Sequence, residues 1–262
     1  GLGAISVLDL QSSEDADVRA FGDFVFEKVF IHYTAKQWGI PVAQVDRSVI
    51  NRVPVAFGRD DRYFHDAFQC MPAHGFTKLF EKMLDHPDIT LHLGCDAKDW
   101  LQPDPGAGLL RFSGSVSPDA VLYTGPLDEL FGRVFGSLPY RSLNMVFEAL
   151  GCPQFQPAAV VNYPNEEDFT RITEFKHLTR QEIPHTTILR EYPLPYDPDA
   201  EKAAVPYYPI QSGENQALYM KYRALADRIP GLYLCGRLAE YKYYNMDAAT
   251  KAALEAADLI MG

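Results

Sequence analysis

Between Val18 and Lys36 the apolar residues Phe21, Phe24, Val25, Val29, Phe30 and Tyr33 recur at helical spacing, which predicts one amphipathic helix. Gly39-Ile40-Pro41 supplies its stop signal. The small, polar residues 1–17 ahead of it read as a frayed lead-in. Downstream, Asp46–Ile50 fits a short helix, and Asn51–Phe64 is an Arg-rich stretch with a turn at 58–61. Phe76–Leu84 fits a further helix. Ile89–Leu93 reads as a strand, and Ala120–Pro126 as a second one closing on a Gly-Pro turn.

The period changes between Tyr140 and Tyr192. Ser142–Leu150, Ala158–Tyr163, Thr170–Leu178 and Thr186–Tyr192 are strand-like runs separated by Pro, Asn, Gly and Glu clusters. Polar and apolar residues mixed on both faces suit an antiparallel sheet with one wet side. A Pro/Asp-rich loop, 193–206, leads to a helix at Asn215–Asp227 and a strand at Leu232–Cys235. An Ala-rich helix then runs to Met261. The sum is an α/β chain with mixed α+β character.

Composition narrows the function classes. The 262 residues hold 24 Lys+Arg against 35 Asp+Glu, a net charge of −11, with 47% apolar residues. That suits one large or two modest globular domains and disfavours recognition of nucleic acid through phosphates. Cys70, Cys95, Cys152 and Cys235 share no CxxC spacing, which points to a reducing cytoplasm. No apolar run approaches the ~20 residues that cross a bilayer, so no membrane association is expected. The seven histidines form no HExxH or HxH pattern, so no metal site is expected. The first residue is Gly rather than Met, which suggests a processed chain or a piece of a longer one.

Three constellations could carry chemistry. A strand ending at Cys235-Gly236 precedes a small-residue helix that Asn245 can cap, and such a helix start attracts anions. Taken alone, an ordinary helix docking on a sheet explains it better. Arginines stand beside aromatics at Arg52, Arg62-Tyr63, Tyr140-Arg141, Arg171, Arg190 and Arg237. With Tyr207-Tyr208 and Tyr243-Tyr244 they suit a diphosphate or sugar-nucleotide ligand. The third is Tyr33-Thr34-Ala35-Lys36-Gln37-Trp38 at a helix end, which suits a nucleobase platform or plain core. No GxSxG, Cys/His pairing or Walker loop is present.

Ten collinear strings resemble the UDP-galactopyranose mutases. They are YTAKQW (33–38), NRVPV (51–55), RYFHD (62–66), PAHGFTKLFEKML (72–84), LYTGP (122–126), YRSL (140–143), TRITEFKH (170–177), REYPL (190–194), PYYPI (206–210) and GRLAEYKYYNMDAA (236–249). The resemblance implies a cytoplasmic isomerase, an intramolecular transferase of galactofuranose and cell-wall biosynthesis. It would interconvert UDP-galactose and UDP-galactofuranose, with FAD active in its reduced form through an N5 flavin–galactose adduct and no protein nucleophile. By position it assigns Thr34, Trp38, Arg52, Tyr63, Asn162, Arg171, Tyr208 and Tyr243 to the substrate. It assigns Thr124, Gly125, Arg141, Arg237, Tyr244, Asn245, Met246, Asp247 and Ala248 to the flavin. A homodimer stays open.

Two departures from the family pattern stand out. Asn245 replaces an Asp that several relatives carry, and no GxGxxG dinucleotide turn occurs anywhere. The chain therefore reads as an incomplete FAD-binding Rossmann-like domain with a helical lid and an antiparallel substrate-binding sheet, inactive by itself. The boundaries expected are 1–86 for the lid, 87–136 and 211–262 for the FAD domain, and 137–210 for the sheet. Another amine-oxidase-like flavoprotein, or a non-catalytic sugar-nucleotide-binding module, remains as an alternative.

Overall fold

The computed structural model describes residues 3–39, 41–44, 47–51, 53–59, 62, 66–114, 118–199 and 205–262. The chain opens with β1 (Ala4–Ile5), α1 (Val7–Gln11), α2 (Ala16–Val25), a π-helical turn (Phe26–Ile31) and α3 (His32–Trp38). A 3₁₀ turn (Val42–Gln44), α4 (Arg47–Asn51), β2 (Val55–Ala56), α5 (Gly75–Leu84), α6 (Ala97–Trp100), β3 (Leu101–Asp104) and β4 (Leu109–Phe112) follow. Next come β5 (Val121–Tyr123), α7 (Leu127–Leu130), β6 (Tyr140–Leu150), β7 (Val160–Asn162), β8 (Arg171–Glu174), α8 (Phe175–Thr179) and β9 (Thr186–Pro195). The last elements are β10 (Tyr208–Pro209), α9 (Gly213–Ala226), β11 (Leu232–Leu234), α10 (Gly236–Ala239) and α11 (Met246–Met261). They form two compact units, residues 1–91 with 143–194 and residues 92–142 with 195–262.

The first unit starts more firmly than its composition suggests. The frayed lead-in expected over 1–17 does not hold for residues 3–17: β1 pairs with β2, and Val7 and Leu10 of α1 are buried. Helix α1 lies so close to α2 that a Cβ on Gly22 would stand 2.7 Å from the Leu10 side chain. Asp15 caps α2 by accepting from the N–H groups of Asp17 and Val18. The single helix expected over 18–36 is interrupted by the π turn, whose wider pitch shifts the apolar stripe. Phe30 thereby joins Val7 and Ile50 in a small core, while Phe21, Phe24 and Val29 stay exposed. Helix α3 then buries Thr34, Gln37 and Trp38 and ends at left-handed Gly39.

Strands β6, β9, β8 and β7 lie in that order, with β8 antiparallel to both neighbours. The strand expected over 170–178 stops at Glu174 and turns into α8. The buried Glu174 carboxylate accepts N–H bonds from Phe155 and Gln156 and a hydroxyl bond from Thr186, which ties the turn inward. The strand expected over 89–93 is absent. Ile89, Leu91 and Leu93 are exposed, and no described strand runs beside them to complete a hydrogen-bond ladder.

In the second unit β5 and β11 pair in parallel, with Tyr123 opposite Leu234. Here β10 pairs antiparallel with the start of β6, Tyr208 opposite Arg141. A hairpin that the residue pattern did not announce, β3–β4, sets Leu101 opposite Phe112. Leu101, Leu110, Leu127, Leu138 and Ile229 pack there with five buried tyrosines: Tyr123, Tyr140, Tyr219, Tyr222 and Tyr241. The result is mixed α/β, as the periodicity predicts.

Candidate functional site

The β7–β8 hairpin of the first unit places Asn162 directly opposite Arg171, and Arg171 directly opposite Glu191 on β9. The Arg171 Nε stands 3.1 Å from a Glu191 carboxylate oxygen. Its terminal nitrogen donates across 3.4 Å to the Tyr33 hydroxyl on α3. Burial pushes the Glu191 carboxyl above the ordinary range, and the Arg171 charge opposes that rise. Two contacts thus fix where the guanidinium points, and an arginine fork is a group that can bind a phosphate through two parallel bonds. An open pocket of about 490 Å³ lies alongside, with Lys28, His32, Asn162, Asn165 and Glu167 among its lining.

In the same unit Thr34 and Trp38 are buried, whereas Tyr33, the first residue of that string, is half-buried and touches Arg171. Arg52 and Tyr63 lie outside the described residues, as do Asp46, Asp60 and Asp61. The residue pattern offered Tyr33 as part of a nucleobase platform rather than as a partner of Arg171, and gave Glu191 no role. Both stand inside the quoted strings, but a string does not reveal which side chain faces Arg171.

The second unit gathers the other set. The Tyr208 and Tyr243 rings stack at 6.2 Å with 9° between planes. The Arg237 guanidinium lies 5.2 Å from the first ring centre and 4.5 Å from the second. It also donates to the main-chain carbonyls of Tyr207 and Tyr244, so it fastens together the two segments that carry those rings. Arg141 is buried on β6, and desolvation lowers its affinity for its proton. The Tyr244 hydroxyl donates to Glu240, which also accepts the Gly236 N–H at 3.1 Å.

Thr124-Gly125 follows β5 just where Cys235-Gly236 follows β11, since the Cys235 N–H donates to the Tyr123 carbonyl at 3.1 Å. The carboxyl ends of adjacent parallel strands are where open α/β sheets receive ligands. Gly236 has φ 91°, and nothing lies within 4 Å of where its Cβ would be, so its backbone is open to close approach. Asn245 occupies the N-cap position of α11, but its side chain makes no capping bond, contrary to the capping role expected of it. Its backbone carbonyl alone starts the helix, accepting from Ala249 at 2.9 Å. Met246, Asp247 and Ala248 form the first turn, with Met246 exposed.

Residues 28–243 match the family model of UDP-galactopyranose mutases. The chain is 35% identical over 260 residues to the UDP-galactopyranose mutase of Mycoplasma pneumoniae, with 98% of this chain and 64% of that protein covered. It is 31% identical over 258 residues to the dTDP-fucopyranose mutase of Escherichia coli, covering 98% of this chain and 66% of that one. A crystal structure of reduced UDP-galactopyranose mutase shares the fold, with a TM-score of 0.64 at 17% identity over 98% of this chain and 70% of that one. The chain spans about two thirds of the length of the curated relatives it matches.

Proposed function

Because the chain belongs to the UDP-galactopyranose mutase family, we propose that it serves the interconversion of UDP-galactopyranose and UDP-galactofuranose, within galactofuranose and cell-wall synthesis in the cytoplasm. The observation that carries this is the Asn162–Arg171 pair, where an arginine oriented by Glu191 and Tyr33 faces an amide across one hairpin base. A nucleoside diphosphate offers two phosphates to that guanidinium, and the Asn162 amide suits ribose or sugar hydroxyls. Thr34 and Trp38 are proposed for the uridine end and Arg52 and Tyr63 for the diphosphate; in the second unit the stacked rings of Tyr208 and Tyr243 are proposed as diphosphate contacts.

The second unit fits a flavin, proposed as FAD in its reduced form. The open backbone at Gly236, the paired strand ends and the first turn of α11 form a surface for a planar, partly anionic group. Thr124, Gly125, Arg141, Tyr244, Asn245, Met246, Asp247 and Ala248 would hold it, with Arg237 fixing the segment that precedes them. When bound, a reduced flavin supplies a nucleophilic nitrogen for exchange at the anomeric carbon. The chain's own part is then to hold the diphosphate in place and stabilise its charge as it leaves and returns. Joined to a segment that supplies a GxGxxG dinucleotide turn, the chain should convert UDP-galactofuranose only after dithionite reduction. Turnover indifferent to the flavin's redox state would contradict this reading.

A further inference from the structure

Lys36 stands on α3, three residues after Tyr33 and therefore on the same side of the helix. The resemblance gives it no role. Its Nζ donates to three main-chain carbonyls of a single loop, those of Tyr163 at 2.6 Å, Glu167 at 2.8 Å and Phe169 at 3.1 Å. An ammonium carries three donors in a tripod and no acceptor, so it matches three converging carbonyls. That loop joins β7 to β8, and the Asn162–Arg171 pair forms its base.

The loop is otherwise closed only near its ends. The Tyr163 N–H donates to the Thr170 carbonyl at 2.9 Å, and the Tyr163 and Phe169 rings meet edge-on at 4.8 Å. Between those points Asn165, Glu166, Glu167 and Asp168 are exposed and add no packing. Without a cation at the focus, three carbonyl dipoles would face one another, and the loop would open toward water.

We propose that Lys36 is a positioning residue: by fastening the 163–169 loop to α3, it sets the Asn162–Arg171 pair against Tyr33 on that same helix. The helix meets the hairpin through Lys36 at the loop and through Tyr33 at Arg171. Lys36 acts through the hairpin rather than on the ligand. The proposal rests on the reading that this pair receives a nucleoside diphosphate.

The test uses the full chain, UDP as the probe, calorimetry for affinity and hydrogen exchange for residues 163–170. Lys36→Ala is expected to lose amide protection in the loop while β8 and β9 keep theirs, and to weaken UDP binding roughly tenfold or more. Ethylammonium, but not sodium at equal ionic strength, should recover both by refilling the carbonyl focus. Should Lys36→Ala fail to fold, Lys36→Arg carries the same readouts: a planar fork cannot meet three converging carbonyls, so protection and affinity should fall together. Affinity lost with the loop still protected would overturn the proposal, because Lys36 would then touch the ligand itself. A loosened loop with UDP affinity unchanged would overturn it equally. Wild-type chain that takes up no UDP would instead defeat the reading of the site.

Discussion

The two units hold themselves together by different means. The second has a continuous apolar core in which tyrosines pack by their rings and satisfy their hydroxyls on main-chain carbonyls. Tyr241 donates to Pro139 and Ile210, and Tyr222 to Gly136. Among its described residues, the first unit has a smaller apolar cluster around Val7, Phe30 and Ile50, with Ile172, Ile188 and Leu189 buried in its sheet. Its sheet is further tied by buried or half-buried charges on main-chain groups and on each other. Glu174 accepts from Phe155 and Gln156, Lys176 donates to Pro153, Ile183 and His185, and Arg190 pairs with Glu148. The contrast teaches that the second unit depends on shape, whereas the sheet of the first depends on charge.

The sharpest way to break the comparison is to remove a ring from the tyrosine core. Tyr241→Ala should cost about 4 kcal/mol, through a large cavity and two orphaned carbonyls, as read by urea unfolding. Tyr241→Phe keeps the ring and should cost only about 1 kcal/mol. Equal losses for the two variants would mean that hydrogen bonding, not shape, supports this unit.

Next in size is the charge tie at Glu174. Burial alone would raise its carboxyl, but the bonds from Thr186, Gln156 and Phe155 and the nearby His177 outweigh it, so it is held below the ordinary carboxylate range. A carboxyl lowered in the folded state contributes stability that is full above its unfolded value and lost as pH falls through the folded one. Glu174→Gln should therefore cost about 2 kcal/mol at pH 7, with the gap from wild type closing below about pH 4.5. Thermal melts from pH 7 to pH 3 read this directly, and a gap that stays constant would contradict the electrostatic account of the first unit.

The smallest effect belongs to neither type of support. Helix α5 buries none of its residues, and Phe80 is 53% exposed. Phe80→Ser should change the stability of this chain by no more than about 0.5 kcal/mol. A loss of several kcal/mol would show that the helix is packed in solution.

Periodicity revealed α5, α9, α11 and the β6 to β9 sheet because each presents a regular stripe over several turns or pleats. It missed α1, whose five residues are too few for a pattern and whose burial depends on contact with Gly22. It also ran straight through the π turn, because a local widening leaves no mark on residue type. In the candidate site, Asn162 and Arg171 were legible from resemblance, but their pairing across a hairpin was not. Nor were the roles of Tyr33, Lys36 and Glu191, which follow from contacts between segments far apart in sequence.

The central claim is that the Arg171 guanidinium, aimed by Glu191 and Tyr33, receives the diphosphate of a UDP-sugar. Calorimetric titration of UDP against wild type, Arg171→Ala and Arg171→Lys tests it most directly. The account predicts that wild type binds, that Arg171→Ala loses at least about 2 kcal/mol of binding free energy, and that Arg171→Lys recovers only part because a point charge replaces a bidentate fork. Equal UDP affinity in all three proteins would contradict it.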